Sequence, residues 1–526
     1  MNDQRALRAS FAGQNQFNWR NLRLIILISM GACTFGYGVS IIGTTLGEPG
    51  FLLYMGLVDS ATGEPTTNSA GLTGAITGTF YAGSFCGLLV GSWVMDKYGR
   101  KAGVIYAAIL GLIGTIGVTA AQNVAMFVVF RFFCGAGANS FLGVTGVFTS
   151  ELAPPALRGF FVGMVGGGIV IGYSIASLMG LACFYIDDLQ AQWRVPLGLT
   201  LVFLVFMLCI LPWLPESPRW LLMVGRDAEA KKLIYDIHKS SKDHSQTFAE
   251  QEFFQMQQQI ELDKTMKTSW LEMFRKPSYR KRSIIALTFG FFNQSTGILV
   301  VGSYGTLIYK SLGYNARDVL CFQVGWILTA VPFNFLGAWL SDRWGRKPMF
   351  IIGLAGCAIS LSLEAAIVAT YVTPEQLLHP NQAALGMAVA SLYLMMAFFG
   401  ATLDVAGTPF INELFPNHLR SKGYSMTLAI MTCTTLTYTE VGPTALQHVG
   451  WRYYLLFICS SVVGCFWIYF TFPETKGIPL EEVAALFGDA DEVVVYSASL
   501  SQDEKGQTVL VEGEKETTEV HVEIAK

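Results

Sequence analysis

Asp96 and Arg100 in GSWVMDKYGRK (91–101) return at the same spacing as Asp342 and Arg346 in GAWLSDRWGRK (337–347). A glycine turn that sets an acid beside an Arg/Lys pair is not suited to covalent chemistry. It suits charge-assisted hydrogen bonds that form and break, the chemistry of a conformational latch. Glu151 and Arg158 in ELAPPALR are matched by Glu413 and Arg420 in ELFPNHLR, and Pro215-Glu-Ser by Pro473-Glu-Thr. The three offsets are 246, 262 and 258 residues, as expected of one ancestral unit duplicated. These eight charged residues are expected to hold the two halves together when one face of the protein is closed.

A further acid, Asp404, interrupts an apolar run. It lies about seven residues before the expected end of its helix, hence ~10 Å deep at ~1.5 Å per residue, and is a candidate for proton coupling. Glu364 and Glu440 are expected nearer the opposite rim and in contact with water.

The elements that must position these groups are membrane helices. The chain has 526 residues, 52% of them hydrophobic and only 14% charged, with mean hydropathy +0.45. A soluble chain of this length would keep a charged surface. Apolar runs of ~20 residues or more, enough for a ~30 Å hydrocarbon layer, fall at about 22–46, 70–95, 102–121, 124–149, 159–184 and 195–214. Six more fall at about 282–311, 318–341, 348–371, 383–412, 421–446 and 452–472. The loops 47–69 and 371–382 carry no Lys or Arg, whereas both GRK turns do. The positive-inside rule then places both termini in the cytoplasm.

Domain organisation follows from these runs. Residues 1–21 form a cytoplasmic N-terminal segment, 22–214 a first six-helix bundle, and 282–472 a second. The polar block 215–281 contains amphipathic stretches such as AEAKKLIYDIHK and reads as a cytoplasmic linker of short helices. Residues 473–526 form a cytoplasmic tail, acidic and poor in aromatics, expected to be disordered after about 489. The ten cysteines include no CxxC and read as small buried hydrophobes. The six scattered histidines make no metal, triad or phosphate-loop constellation. Neither an enzyme, a metal site, a cofactor nor a nucleic-acid partner is expected.

The paired G-x-x-x-D-x-x-G-R-K turns, the two E-L-x-P-x-x-L-R segments, PESPR (215–219) and PETKG (473–477) with LEE (480–482) resemble the sugar porter family of the major facilitator superfamily, in a fungal-type member. The resemblance runs from about residue 22 to 487. It implies an all-α membrane protein with twelve transmembrane helices in two six-helix bundles of the major facilitator fold, around a central solute site worked by alternating access. A monomer in the plasma membrane is expected.

The same resemblance implies which positions meet the solute. The seventh-helix pattern points to Asn293, Gln294, Leu299, Ser303 and Tyr304, and the tenth to Thr408. Several positions depart from the pattern. Gly38 stands where an Asp or Asn follows FGY, and Gly166 stands for a fifth-helix Gln. Leu403 and Thr408 replace two tryptophans, and Asp404 replaces a glycine between them. Arg131, 20 residues before Glu151, keeps the place of the family's proton-coupling arginine while its acid partner is lost at Gly38. An arginine inside a bundle needs another acid, carbonyls or water.

A sugar requires amides and hydroxyls for each buried hydroxyl, and this set is thinned. The expectation is a carrier of a sugar or sugar-like small polar solute, by facilitated diffusion in preference to proton symport. The alternatives are export of a secondary metabolite and a non-transporting nutrient sensor.

Overall fold

The computed structural model describes residues 19–59, 65–153, 158–238, 247–265, 269–372 and 381–475, with Phe487 and two short strands beyond. The first bundle comprises α1 (Trp19–Thr45), a short α2 (Pro49–Tyr54), α3 (Ser69–Tyr98), α4 (Arg100–Thr119), α5 (Val124–Leu152) and α6 (Arg158–Cys183). Its last column is built from α7 (Leu189–Gly198) and α8 (Thr200–Ile210). Four helices occupy the 215–281 block: α9 (Pro218–Met223), α10 (Asp227–His238), α11 (Thr247–Thr265) and α12 (Glu272–Arg275).

The second bundle opens with α13 (Pro277–Gln294) and α14 (Ile298–Ser311), which together make one column. It continues with α15 (Ala316–Trp344), α16 (Arg346–Tyr371), α17 (Gln382–Phe399), α18 (Val405–Leu414), α19 (Asn417–His448) and α20 (Tyr453–Thr471). Between α17 and α18 the chain makes a π-helical turn over Gly400–Asp404.

Among the described residues, 11 helical columns are long and apolar enough to cross a membrane. The twelfth expected span corresponds to α19, 32 residues long but rich in threonine. Its polarity is dealt with internally. The hydroxyls of Thr427, Thr432, Thr434, Thr435 and Thr439 each donate to the carbonyl four residues back at 2.7–2.9 Å. A hydroxyl bonded within its own helix costs little in an apolar surrounding. The outer surface is the reverse of a soluble protein's: Val202, Trp213, Phe335, Phe466, Tyr469 and Phe470 are all exposed, as a chain solvated by lipid tails requires. Cys86, Cys209, Cys321 and Cys459 are exposed too, so only part of the cysteine set is buried.

The two bundles meet along α3 against α19 and α6 against α15, with α1 touching α14 near one face. The face bearing the Gly99 and Gly345 turns is termed the basic face. Both glycines have positive φ, 99° and 90°, which a side chain with a Cβ rarely adopts. Each also lies against a carboxylate, Glu216 and Glu474 respectively. These glycines let consecutive spans reverse and present the next residues' backbone N–H groups to that acid.

The tail departs from its expected disorder at six residues. Leu500–Gln502 pairs antiparallel with Thr508–Leu510, Leu500 opposite Leu510. The rest of the tail after 489, like residues 1–18, lies outside the described residues.

Candidate functional site

The two basic-face motifs build the same device twice. Arg100 donates from Nε and Nη2 to the two oxygens of Glu151 at 2.7 and 2.6 Å, and from Nη1 to the Met95 carbonyl. Glu216 accepts from the backbone N–H groups of Arg100 and Lys101. In the second half Arg346 donates to Glu413 at 2.9 Å, and Glu474 accepts from the N–H groups of Arg346 and Lys347. Thr475 completes it by donating to the other Glu413 oxygen at 2.6 Å. Backbone N–H groups at a helix start and a bidentate guanidinium are both strong partners for a carboxylate.

One expectation is corrected by this arrangement. Both Arg–Glu pairs join helices of the same bundle, α4 to α5 and α16 to α18, so neither latches one half to the other. Arg420 donates to the Asn412 carbonyl, also within its own half. Asp96 gives its backbone carbonyl to the Trp220 indole, and its carboxylate acts on Arg100. The side chains of Arg158 and Asp342 lie outside the described residues.

The seam between bundles is held elsewhere. On the face opposite the basic turns, the hydroxyls of Thr77 (α3) and Tyr304 (α14) pair with each other, and Tyr304 donates to the Thr439 carbonyl at 2.6 Å. Thr306 donates to the Gly43 carbonyl at 3.2 Å. A Cβ on Gly43 would stand 2.7 Å from the Gly302 carbonyl oxygen, so α1 and α14 pack backbone to backbone. Tyr304 is fully buried in this seam and does not line the central cavity. Its expected role in solute contact is therefore corrected: its hydroxyl is committed to closing the seam.

Toward the centre, α1, α5 and α6 of the first bundle and α13, α14, α15, α17, α18 and α19 of the second enclose a cavity of about 140 Å³. Asn293, Gln294, Leu299, Ser303, Asp404 and Thr408 all line it, so these sequence-selected residues converge. Gln294 donates to Asn293 Oδ1 at 3.0 Å and accepts from Thr435 at 3.2 Å, a row that fixes the two amides. The rest of the wall is mainly apolar, with rings from Phe35, Tyr173, Phe289, Trp326, Phe399 and Tyr424. Trp326 has its N–H committed to the Leu392 carbonyl at 3.0 Å and offers the solute only a ring.

The π turn governs how Asp404 meets the cavity. An i→i+5 turn inserts one extra residue and rotates everything after it relative to a regular helix. Pro409 follows inside α18 and cannot supply an N–H to the ladder. Ten residues of α18 separate Asp404 from the helix end, about 15 Å at ~1.5 Å per residue, deeper than the expected ~10 Å. Glu364 departs further from expectation. It is fully buried and accepts from Ser391 at 2.6 Å, so it is no water-facing rim acid. Glu440 is exposed.

Arg131 occupies a separate, much smaller cavity of about 20 Å³, lined also by Gly38, Phe80 and Cys134. It is buried, donates weakly to the Ile76 carbonyl at 3.4 Å, and stacks on Phe80 with 4.5 Å between guanidinium and ring centroid. It makes no ion pair among the described residues. A Cβ on Gly38 would meet only Ala138, at 3.7 Å, so a side chain at 38 has room beside the arginine.

Sequence reasoning missed two kinds of residue. Trp326 and Tyr173 enter the cavity from helices with several aromatics each, and nothing in the sequence singles these two out. Glu48, just past α1, is fully buried, and neither carboxylate oxygen is bonded among the described residues. Burial pushes its acid up to about 9. A carboxyl in the loop 47–69 carried no motif to mark it.

A family model described as "Sugar (and other) transporter" matches residues 24–487. The chain is similar to a high-affinity glucose transporter of Kluyveromyces lactis, 28% identical over 88% of this chain and 85% of that one. It is also similar to a probable quinate permease of Neosartorya fischeri, 26% identical over 90% and 88%. Among solved structures, the proton:xylose symporter XylE bound to 6-bromo-6-deoxy-D-glucose superposes with a TM-score of 0.75. That match has 22% identity and covers 89% of this chain and 99% of the symporter; at such identity it speaks for the fold alone.

Proposed function

The chain belongs to the sugar porter family of the major facilitator superfamily, and on that premise we propose that it moves a small hydroxylated solute, a sugar or polyol, by alternating access and facilitated diffusion. It is a multi-pass membrane carrier and not an enzyme. The carrying observation is the cavity between the bundles, to which both halves contribute and into which Asn293, Gln294, Ser303 and Thr408 bring hydrogen-bonding groups. Those groups suit hydroxyls, and the rings around them suit the apolar face of a pyranose or polyol chain.

Facilitated diffusion is favoured because Arg131 faces no carboxylate at position 38. Symport in this family's manner needs an acid there whose charge is read by the transport cycle. The bonds at Tyr304 and Thr306 act as the gate on the face opposite the basic turns, which is the outer face if both termini are cytoplasmic. We place the carrier in the plasma membrane, working as a monomer.

The test is uptake of a radiolabelled sugar and polyol panel by yeast lacking hexose transport, with and without a protonophore. Saturable, protonophore-insensitive equilibration is expected. Accumulation against a gradient that collapses with the protonophore would overturn the facilitator reading. No uptake despite confirmed surface expression would overturn the solute class and turn attention to export or sensing.

A further inference from the structure

Asp404 is the one charged side chain lining the central cavity among the described residues; no lysine or arginine faces it. Beside it stands Asn334 of α15, which is buried. One amide hydrogen of Asn334 goes to the Ala330 carbonyl at 3.2 Å, and its side chain stands near the Asp404 carboxyl. Among the described residues its Oδ1 has no hydrogen-bond donor. A buried amide oxygen left without a donor is costly and calls for a partner.

The surroundings leave room for one. Across the seam the first bundle presents Gly166, where a Cβ would lie 3.9 Å from that same oxygen. Gly166 stands where the family resemblance implies a longer amide, and among the described residues no other side chain comes within 4 Å of that Cβ. Gly400, at the start of the π turn, lets Asn334 settle close: a Cβ there would be 3.2 Å from its Nδ2. The Asp404 carboxyl thus enters a mainly apolar cavity, with Asn334 behind it and outside the lining.

A carboxylate among apolar groups is tolerated when opposite charge or several donors reach it. Aromatic faces further favour a cation over an anion. We infer that Asp404, with Asn334 behind it, forms a head-group subsite for an ammonium-bearing hydroxylated solute, such as an amino sugar. The ammonium supplies three donors and the charge that Asp404 lacks, while the hydroxyls meet Asn293, Gln294 and Thr408. A cargo carboxylate is disfavoured at this end by like charge. This rests on the hydroxylated-solute reading above and narrows it.

The test compares binding of glucosamine, glucose and glucuronate to purified full-length protein by titration calorimetry, at a pH where the amine is protonated. Glucosamine is expected to bind about tenfold more tightly than glucose, a difference of ~1.4 kcal/mol, with glucuronate weakest. Asp404→Asn should bring glucosamine and glucose within about twofold while glucose binding persists. Gly166→Gln, which leaves Asp404 intact and fills the space before Asn334, should also reduce the preference for glucosamine. Glucuronate binding as tightly as glucosamine, or a preference untouched by both substitutions, would overturn the subsite. Failure of all three ligands to bind cooperatively folded wild-type protein would instead overturn the hydroxylated-solute reading, and the subsite with it.

Discussion

The hydroxyls of Tyr304 and Thr77 meet across the seam between the two bundles, and Tyr304 donates a hydrogen bond to the Thr439 carbonyl. A residue that sequence resemblance assigns to the cargo thus sits in the seam between bundles. Tyr304→Phe should keep solute affinity within about twofold while loosening the seam by ~1 kcal/mol, the worth of one such bond. Amide hydrogen exchange across Gly302–Thr306 should then rise about fivefold. Lost binding with unchanged exchange would return Tyr304 to the cargo.

The space at Gly38 yields a second expectation. Gly38→Asp places a carboxyl in the cavity that Arg131 already occupies, with only Ala138 near the new Cβ. Uptake by the variant should become pH-dependent and protonophore-sensitive where the wild type is neither. A variant that is surface-expressed and active with an unchanged pH profile would show that an acid at 38 does not suffice for coupling.

Buried ion pairs predict unequal stability effects. Removing one partner of such a pair strands a charge and costs about 3–5 kcal/mol. Arg100 and Glu151 have side chains 3% and 7% exposed and share two bonds, whereas Arg346 and Glu413 are 8% and 16% exposed. Arg100→Ala should therefore lower the melting temperature in detergent more than Arg346→Ala. Equal or reversed losses would mean that the backbone contacts of Glu216 and Glu474 dominate.

Glu48 supplies a pH signature. Its acid is pushed from an ordinary 4.5 up to about 9 by burial. Between these values the folded protein keeps the proton and the unfolded chain releases it. Wild-type stability should fall as pH rises across that window, by up to ~1.4 kcal/mol per unit. Glu48→Gln should flatten this slope, so its gain in melting temperature is large at pH ~8 and vanishes near pH ~5. Parallel wild-type and variant slopes would mean that the carboxyl reaches water.

The spans, the duplication and the basic turns were legible because each is written in local hydropathy or in short charged motifs. The latch was misread for a related reason. The motifs show that Arg100 and Glu151 pair with something, yet their spacing does not say that α4 and α5 are neighbours in one bundle. Tyr304 meets Thr77 across 227 positions, a contact that no periodicity reports. Asp404 reaches the cavity through a π turn, which shifts the helical register that a sequence reader counts by. Asn334 faces Gly166 only once two bundles have been docked. What the sequence hides is the seam, since a seam is made of side chains chosen for each other rather than for their own helix.

The confinement of each Arg–Glu pair to its own bundle has a consequence for kinetics. In the alternating access proposed above, one bundle rocks against the other while each pair rides along intact, and its attraction is the same before and after. Salt screens exposed charges whose separation changes and leaves such internal pairs nearly untouched. Turnover should therefore be almost flat between low and high ionic strength, as if the basic turns were hinges cast in one piece with the parts they swing.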